Sequence, residues 1–151
     1  MDEVKQINAE ATHALRHTVL RPQQNIEDAI YPLDEEEETF HVGAFLGDEI
    51  VSIASLYNEG RLGEEGKSCW RLRGMATAPE LRGRGYGTKL LKQCIEYAAK
   101  MGGNEIWCNA RTSAAHFYEV LGFETIGDEF NLPPLGPHRL MRRRVGPEDL
   151  K

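Results

Sequence analysis

The sequence has little of what membrane proteins and nucleic-acid-binding proteins require. Its 151 residues contain no apolar run near the roughly eighteen residues that cross a bilayer, and no charged-then-apolar leader. The net charge of −6 argues against general affinity for nucleic acid. These absences predict a cytoplasmic protein whose partners include neither a membrane nor a nucleic acid.

Cysteine is also scarce. The three cysteines, Cys69, Cys94 and Cys108, lack C-x-x-C spacing and lie within strand or helix patterns. Thiols in such positions are typically buried and reduced, so we expect neither a disulfide framework nor a metal site. A catalytic cysteine is the less favoured alternative.

The sequence does have the composition of an ordinary globular protein, with 40% apolar and 28% charged residues. Its length and its lack of repeats or linkers predict a single domain over residues 1–151. Strand patterns alternate with helical ones, and a strand, helix, strand order implies a parallel pair with a crossover. We therefore expect an α/β domain with a mixed, twisted sheet flanked by helices.

The predicted elements follow the hydrophobic periodicity. They are a strand at Val4–Ile7, a helix at Ala9–Leu20, a hairpin of Phe40–Leu46 and Glu49–Tyr57, a strand from Trp70, a helix to Met101, a strand at Glu105–Asn109, a helix from Thr112, and strands near Phe123–Phe130 and Arg139–Val145. Polar or Pro/Gly-rich loops are expected at Asn58–Lys67 and Leu132–His138.

The stretch from Trp70 to Met101 carries the most informative pattern. A strand leads into a loop rich in Gly and Arg, and then into an amphipathic helix that Gly102-Gly103 should end. The helix presents an apolar stripe of Tyr86, Leu90, Leu91, Cys94, Ile95, Ala98 and Met101. Within the strand, the alternation slips at Gly74-Met75, which predicts a bulge.

The loop before the helix predicts a diphosphate-binding cradle. Glycines and cations coincide there with helix N–H groups that lack partners, which favours an anion. The cradle comprises Arg82, Gly83, Arg84, Gly85, Tyr86, Gly87 and Thr88. A glycine turn with solvated arginines is the structural alternative.

The spacing of this loop fits neither the dinucleotide fingerprint nor the Walker pattern, but it does fit [RQ]-x-x-G-x-[GA] at Arg82, Gly85 and Gly87. The region resembles the acetyl-CoA signature of the GNAT superfamily of N-acyltransferases. Residues Asn109–Phe123 are similar to its second signature, N-x-x-A-x-x-[FL]-Y-x-x-x-G-F, with Arg111 in place of the Asn. Further similarity to short bacterial members of the ElaA type lies at Leu15-Arg16, Val19-Leu20, His41, Asn109-Ala110-Arg111, Phe117-Tyr118, Gly136-Pro137-His138 and Met141.

The resemblance implies a GNAT-like domain whose bulged central strand splays from its parallel neighbour. It implies direct transfer of an acetyl group from acetyl-CoA to a primary amine in a ternary complex, without a protein nucleophile. The pantetheine arm would contact Met75, Ala76 and Thr77. Further cofactor contacts are expected from the cradle and from Asn109, Arg111, Ser113, Phe117 and Tyr118.

Tyr118 is the expected general acid, because the matching Tyr of the superfamily commonly has that role; a core aromatic is the alternative. No carboxylate lies on the predicted bulged strand, where many members place the base. His138 in its Pro/Gly loop is the first candidate for the base and His41 the second, with water-relayed deprotonation equally open. A loop-packing histidine is the structural alternative.

Two electrostatic cues for the acceptor point in opposite directions. Arg16, Arg71 and Arg73, with His41, form a predicted substrate-binding set, and the three arginines suit a carboxylate. Arginines that are solvated, or paired with the acidic loop, are the alternative. The acidic run at residues 34–38 reads as a solvated loop or as a rim that attracts a cationic amine. A small-molecule or amino-acid-like acceptor is favoured, with a protein acetyltransferase or a silent acyl-CoA sensor as alternatives. The acyl-chain preference and a homodimer stay open.

Overall fold

A computed structural model describes residues 2–61 and 68–150 of the chain. Its strands are β1 (Asp2–Gln6), β2 (Phe40–Leu46), β3 (Glu49–Asn58), β4 (Cys69–Thr77), β5 (Glu105–Arg111), β6 (Glu124–Leu132) and β7 (Gly136–Arg144). They form a seven-stranded sheet in the order β1-β2-β3-β4-β5-β7-β6. The pair β4-β5 is parallel, whereas β1-β2, β2-β3, β5-β7 and β6-β7 are antiparallel. The predicted α/β class with a mixed sheet flanked by helices is confirmed.

The helices are α1 (His13–Leu15), α2 (Tyr86–Lys100) and α3 (Ala115–Val120). The α1 turn lies between a 3₁₀ turn at Glu10–Thr12 and a π-helical turn at Arg16–Leu20, so the helix predicted before Pro22 is present but irregularly wound. Residues 62–67 of the predicted polar loop lie outside the described residues. No helix in the described parts of the chain has the length and apolarity that crossing a membrane requires.

The chain divides into two compact units. The first unit comprises Met1–Tyr57 and Leu72–Tyr97, and the second comprises Asn58–Arg71 and Ala98–Lys151. Buried apolar side chains of the first unit include Ile53, Leu56 and Leu90, whereas those of the second include Ile106 and Met141. The extent of a single domain over residues 1–151 stays a prediction.

Helix α2 forms where the periodicity predicts it. Six of the seven stripe residues are buried, from Tyr86 to Ala98. Met101 is the exception at 43% exposure, and its place on the buried stripe was predicted wrongly. The helix ends at Lys100, and Gly102 takes a positive φ of 77° just after it, so Met101 lies beyond the last helical residue.

Strand β4 is distorted at Gly74, but not in the way the alternation indicates. Its parallel register joins Cys69, Trp70 and Arg71 to Glu105, Ile106 and Trp107. Gly74 has a φ of +66°, the conformation of the glycine in one type of bulge. The buried residues Trp70, Leu72 and Ala76 nevertheless keep one phase, so the predicted slip is wrong. The splaying of β4 from β5 stays a prediction.

The C-terminal strands are longer than the sequence predicts. The chain turns over only three residues, 133–135, between β6 and β7. His138 therefore lies within β7, opposite Arg111 of β5 and Phe130 of β6. Its predicted location in a Pro/Gly loop is wrong, because the strand begins at Gly136, before the histidine.

Candidate active site

The cradle lies at the start of α2 in the first unit. Gly83 and Gly85 take φ values of +81° and +87°, and no heavy atom of the described residues lies within 4 Å of the position that a Cβ would occupy at either. The backbone N–H of Lys89 donates to Gly85 O at 3.1 Å, which is where helical hydrogen bonding begins. The preceding N–H groups therefore lack an acceptor within the helix. This loop has the conformation and clearance that an anion needs to approach the backbone.

Both cations of the cradle are accessible. Arg82 and Arg84 are exposed, as are the two glycines beside them, whereas Tyr86 is buried and anchors the helix start. Guanidinium groups bind phosphate oxygens through charge-assisted hydrogen bonds. The residues present therefore fit the diphosphate of coenzyme A, which the cradle would hold through backbone N–H groups and these two side chains.

The end of β4 is tied to β3 within the first unit. Ser52 Oγ and Thr77 Oγ1 share a hydrogen bond at 2.8 Å, and the N–H of Ala78 donates to Val51 O at 2.8 Å. Ala76 is buried, whereas Met75 and Thr77 are half-buried. The segment predicted to contact the pantetheine arm is thus a fixed backbone that follows directly on the left-handed Gly74.

Tyr118 lies on α3 in the second unit, between two aromatic rings. Its ring centroid is 5.0 Å from that of Phe117 and 5.4 Å from that of Phe123, in edge-to-face arrangements. Gly122 ends the helix with a φ of +96°, and the Phe123 N–H donates to Tyr118 O at 3.0 Å. The turn that the second signature encodes therefore fixes the orientation of the Tyr118 ring.

The other second-unit residues predicted to contact the cofactor lie on β5 and at the start of the following helical segment. Asn109 and Arg111 are half-buried on β5, Phe117 is half-buried on α3, and Ser113 is exposed. Thr112 Oγ1 donates to Glu129 Oε2 at 2.8 Å, which holds the beginning of that segment against β6. Asn109 and Arg111 are two residues apart in β5, so their side chains lie on the same face of the strand.

His138 is buried, and its Nδ1 lies 2.8 Å from the carbonyl oxygen of Gly136. A carbonyl oxygen only accepts, so Nδ1 carries the proton of the neutral ring. The free lone pair is then on Nε2, the atom that would accept a proton. The hydrogen bond within β7 thus fixes the tautomer that a general base needs.

Arg16 lies at the centre of a buried polar network in the first unit. The residue is 0% exposed, and its Nη1 and Nη2 donate to the two oxygens of Asp34 at 2.8 and 3.1 Å. Nη1 also donates to Ala29 O, and Nη2 contacts Ser55 Oγ and Tyr57 Oη at 2.9 Å. Burial raises the pKa of Asp34, but the hydrogen bonds from Arg16 and Tyr57 outweigh it and leave the pKa below its usual value.

This network corrects the interpretation of the acidic run at residues 34–38. Asp34 is buried and ion-paired, so the run is not uniformly solvated, although Glu35, Glu36 and Glu37 are exposed. A block of like charges in a sequence gives no sign that one member has a partner 18 residues earlier.

His41 belongs to the same network. Its Nε2 lies 2.9 Å from Asp34 O, so Nε2 carries the proton and Nδ1 accepts from the Ser55 hydroxyl at 2.7 Å. Burial lowers the pKa of His41. Both ring nitrogens are therefore engaged inside the protein, which makes His138 the better-placed of the two candidate bases.

The three arginines that the sequence grouped contact different aromatic rings. The Arg16 and Arg73 guanidinium carbons lie 4.0 and 4.3 Å from the ring centroid of Tyr31 in the first unit. Arg71 belongs to the second unit, where its guanidinium lies 4.8 Å from the Trp107 ring centroid and 3.4 Å from Glu59 Oε1. Sequence reasoning missed Tyr31, because it lies in an irregular stretch without periodicity.

The cysteines give no support to a nucleophilic role. Burial raises the pKa values of Cys94 and Cys108 to about 12, and Cys69 is half-buried in β4. Thiols with raised pKa values carry almost no thiolate near neutral pH and react poorly.

Comparison with known proteins identifies relatives over nearly the whole chain. Residues 2–123 match the model of the acetyltransferase (GNAT) family. The uncharacterized N-acetyltransferase YitI of Bacillus subtilis is 38% identical over 145 residues, which cover 96% of this chain and 97% of the relative. Among solved structures, an aminoglycoside 6'-N-acetyltransferase complexed with coenzyme A superposes with a TM-score of 0.77 at 16% identity, covering 94% of this chain and 96% of the other. ElaA of Escherichia coli superposes with a TM-score of 0.72 at 18% identity, covering 95% and 99%.

Proposed function

The chain belongs to the acetyltransferase (GNAT) family, an acyltransferase family that uses acetyl-CoA, and we propose that it transfers the acetyl group to the primary amine of a small-molecule acceptor. Acetyl-CoA supplies an activated thioester. The observation that carries the proposal is the cradle, where Gly83 and Gly85 combine positive φ with open space beside two exposed arginines. A cytoplasmic location and a homodimer stay predictions from the sequence.

Three tasks then fall to the residues of this chain. The cradle binds the diphosphate, and the backbone of Met75, Ala76 and Thr77 pairs with the pantetheine amides. Asn109, Arg111, Ser113 and Phe117 complete the proposed cofactor contacts. This arrangement needs no protein nucleophile, in keeping with the raised pKa values of the two buried thiols.

Tyr118 is the proposed general acid, and its hydroxyl donates a proton to the departing sulfur. The second signature supports this role, as does the ring packing that fixes the side chain between Phe117 and Phe123. His138 is the proposed general base, and its Nε2 removes a proton from the amine of the acceptor. The hydrogen bond from Nδ1 to Gly136 supports this assignment, because it leaves the lone pair on Nε2.

A catalytically silent acyl-CoA sensor is the second candidate. It is motivated by the absence of a carboxylate from the β4 sequence, CWRLRGMAT, at the place where many family members have their base. A thiol-release assay over a panel of amines separates the two. Release of coenzyme A with any amine supports the enzyme, whereas cofactor binding without turnover for every amine supports the sensor. A protein acetyltransferase would instead turn over only with peptides.

Two variants test the cradle and the acid separately. Gly85→Asp forces a strained side chain with a negative charge into the cradle, and we expect the loss of acetyl-CoA binding in calorimetry. Tyr118→Phe should keep the affinity for the cofactor and lower turnover by about 10²-fold, a usual general-acid effect. Unchanged binding by the first variant would refute the cradle, and wild-type turnover by the second would remove Tyr118 from the mechanism.

A further inference from the structure

Strands β5, β7 and β6 of the second unit present two faces of different character. On one face Cys108, Ala110 and Met141 are 3%, 3% and 0% exposed, so this face is packed as core. The residues that alternate with them along the chain belong to the other face. There Asn109 and Leu140, which lie opposite each other, are only half-buried. The second face is therefore partly open.

The register of the three strands arranges part of this open face as two adjacent rows, which we call the sheet patch. From β5 through β7 to β6, the rows are Asn109, Leu140 and Ile126, and then Arg111, His138 and Phe130. Residues directly opposite in an antiparallel pair share a face, with Cβ atoms about 4.5–5.5 Å apart. Because each is paired with a residue of β7 on this face, Ile126 and Phe130 share it despite the irregularity of β6 between them.

The sheet patch changes in polarity from β5 to β6. On β5 it is polar and consists of two residues that are proposed to contact the cofactor. On β6 it is apolar, with Ile126 and Phe130 both half-buried, and Leu140 of β7 adds a third half-buried apolar side chain. His138, the proposed general base, lies between the two sides in its row. An amine held at His138 would therefore have the proposed cofactor contacts on one side and apolar side chains on the other.

The ring of Phe130 borders the imidazole of His138. The two ring centroids are 6.1 Å apart, and the ring planes are inclined by 31°. His138 is 4% exposed, and its Nδ1 is already hydrogen-bonded to Gly136 O at 2.8 Å. A substrate that reaches the imidazole therefore comes close to an aromatic side chain.

None of the residues of the sheet patch is a carboxylate. Among the acidic residues of β6, Glu124 forms an ion pair with Arg142 at 3.1 Å, and Glu129 accepts from Thr112 Oγ1 at 2.8 Å. Asp128 is exposed in the irregular part of the strand. A second ammonium group on the acceptor would lose hydration over the apolar side chains without gaining a counter-charge from the patch. An apolar group would instead be removed from water, which is favourable.

We propose that Ile126, Phe130 and Leu140 bind an apolar group of the acceptor, so that the acceptor is a primary amine attached to an alkyl or aryl chain. This inference rests on the proposed function, because it takes His138 as the general base. Apolar contacts contribute in proportion to the area that they remove from water, so these three side chains determine specificity and take no part in the proton transfers.

The test compares acceptors of matched length. Alkylamines from methylamine to hexylamine are assayed beside 1,5-diaminopentane, which has the length of hexylamine but a second ammonium group in place of the terminal methyl group. We expect kcat/KM to rise about fourfold for each added methylene group, until the apolar side chains are covered. We expect 1,5-diaminopentane to be a much poorer substrate than hexylamine. Equal kcat/KM values for all these amines would overturn the inference.

Variants of the apolar side chains locate the preference. Leu140→Ala and Ile126→Ala should each lower kcat/KM for hexylamine by about 10-fold, mainly through KM, and should lower that for methylamine much less. Leu140→Met, which keeps an apolar side chain of similar size, should restore most of the loss. Leu46→Ala is the matched control, because Leu46 is an exposed leucine of strand β2 in the first unit, and it should leave the whole series as in the wild type.

Two results with these variants would overturn the inference. The first is an equal loss of kcat/KM for methylamine and hexylamine in Leu140→Ala. The second is a raised KM for acetyl-CoA, which would assign the apolar side chains to the cofactor.

A second copy of the chain is the alternative occupant of these side chains. Light scattering compares the mass in solution of the wild type with that of Leu140→Glu. A wild-type dimer that becomes a monomer in Leu140→Glu would assign the sheet patch to an interface between copies and overturn the inference. The same mass for both proteins supports an acceptor as the occupant.

Direct binding separates this inference from the proposed function. Thermal unfolding of the protein with coenzyme A is followed with hexylamine and with 1,5-diaminopentane. A rise in Tm with hexylamine, absent with the diamine and lost in Leu140→Ala, supports the apolar site even if no amine is acetylated. Turnover of both amines at equal rates, without a rise in Tm from hexylamine, leaves the enzyme assignment standing and overturns the apolar site.

Discussion

In each of the two units an arginine forms an ion pair with an aspartate, close to a glycine with a positive φ. In the first unit Arg16 binds Asp34, and a Cβ on Gly74 would lie 3.2 Å from Arg16 Nε. In the second unit Arg143 binds Asp149, and a Cβ on Gly122 would lie 3.1 Å from Arg143 Nε. The chemistry of the two pairs is the same.

Their surroundings differ. The side chains of Arg16 and Asp34 are 0% and 3% exposed, whereas those of Arg143 and Asp149 are 23% and 11% exposed. Arg143 Nε donates to Leu121 O at 2.9 Å, but Arg16 Nε has no acceptor among the described residues. Water can replace a lost partner in the second pair and cannot do so in the first. Burial, rather than contact geometry, therefore determines how much stability is lost when either pair is broken.

The largest effect should follow from neutralising the buried carboxylate. Asp34→Asn leaves the Arg16 charge buried without its counter-charge, so the free energy of unfolding should fall by about 3–5 kcal/mol. Urea denaturation at neutral pH measures it. Asp149→Asn is the matched control and should cost about 1 kcal/mol. Equal losses for the two variants would show that burial does not distinguish the pairs.

A methyl group beside Arg16 should have the next largest effect. Gly74→Ala places a side chain at a φ of +66°, with Arg16 Nε at 3.2 Å and Tyr31 Cε2 at 3.4 Å, and should cost about 2 kcal/mol. Gly85→Ala, with a φ of +87° and open space for its Cβ, isolates the backbone strain at about 1 kcal/mol. Thermal unfolding measures the difference in stability between the two variants. A smaller loss of stability for Gly74→Ala than for Gly85→Ala would mean that the side chains around Arg16 move aside at little cost.

The pH dependence of stability should come first from the buried network. Burial holds the pKa of His41 below the ordinary histidine value of 6.5, so the unfolded chain binds this proton more readily. The stability that His41 contributes is present above pH 6.5 and is lost as the pH falls towards its folded pKa. The slope is at most about 1.4 kcal/mol per pH unit. Asp34 and Asp149, whose pKa values are lowered from 3.8, contribute losses only in more acidic solution.

Denaturant titrations between pH 7.5 and 5 measure this slope. His41→Gln removes the titrating ring, and its stability curve should be flatter than that of the wild type. His116→Gln, which alters an exposed residue of α3, is the control and should leave the slope unchanged. A slope that survives in His41→Gln would assign the acid sensitivity to another group.

The smallest change in stability is expected for an exposed ion pair of the second unit. The Arg142 Nε lies 3.1 Å from Glu124 Oε1, with side chains 34% and 67% exposed. Glu124→Gln should change the free energy of unfolding by less than about 0.5 kcal/mol, and the change should shrink further in high salt. A loss of stability as large as that of Asp149→Asn would show that exposed and partly buried ion pairs contribute equally, contrary to this prediction.

Local patterns in the sequence predict the features that depend on neighbouring residues. The hairpin around Gly47, the amphipathic α2 helix and the glycine loop before it depend on spacings of a few residues, and each is found where it is expected. Met101 and His138 were misplaced by small errors in element boundaries. The helix ended before Met101, and β7 began before His138.

The Arg16 network could not be predicted because its partners are far apart in the chain. Arg16 contacts Asp34, Ser55 and Tyr57, which follow it by 18, 39 and 41 residues. Periodicity indicates which face of an element is buried, but it does not pair polar side chains between elements. The sequence therefore placed Arg16 in a substrate-binding set, with solvation or pairing to the acidic loop as alternatives, and it grouped Asp34 with the other acids of that loop. The ion pair between Arg16 and Asp34 agrees with the pairing alternative.

The full occupancy of the Asp34 oxygens has a consequence for protein engineering. Because every acceptor position of this carboxylate is used, no member of the set can be exchanged without leaving another buried group unpaired. A redesign that replaces Arg16 and Asp34 together with well-packed apolar side chains would escape that penalty, whereas stepwise mutation would meet an unstable intermediate. Evolution of this core should therefore proceed by paired replacements rather than by single ones.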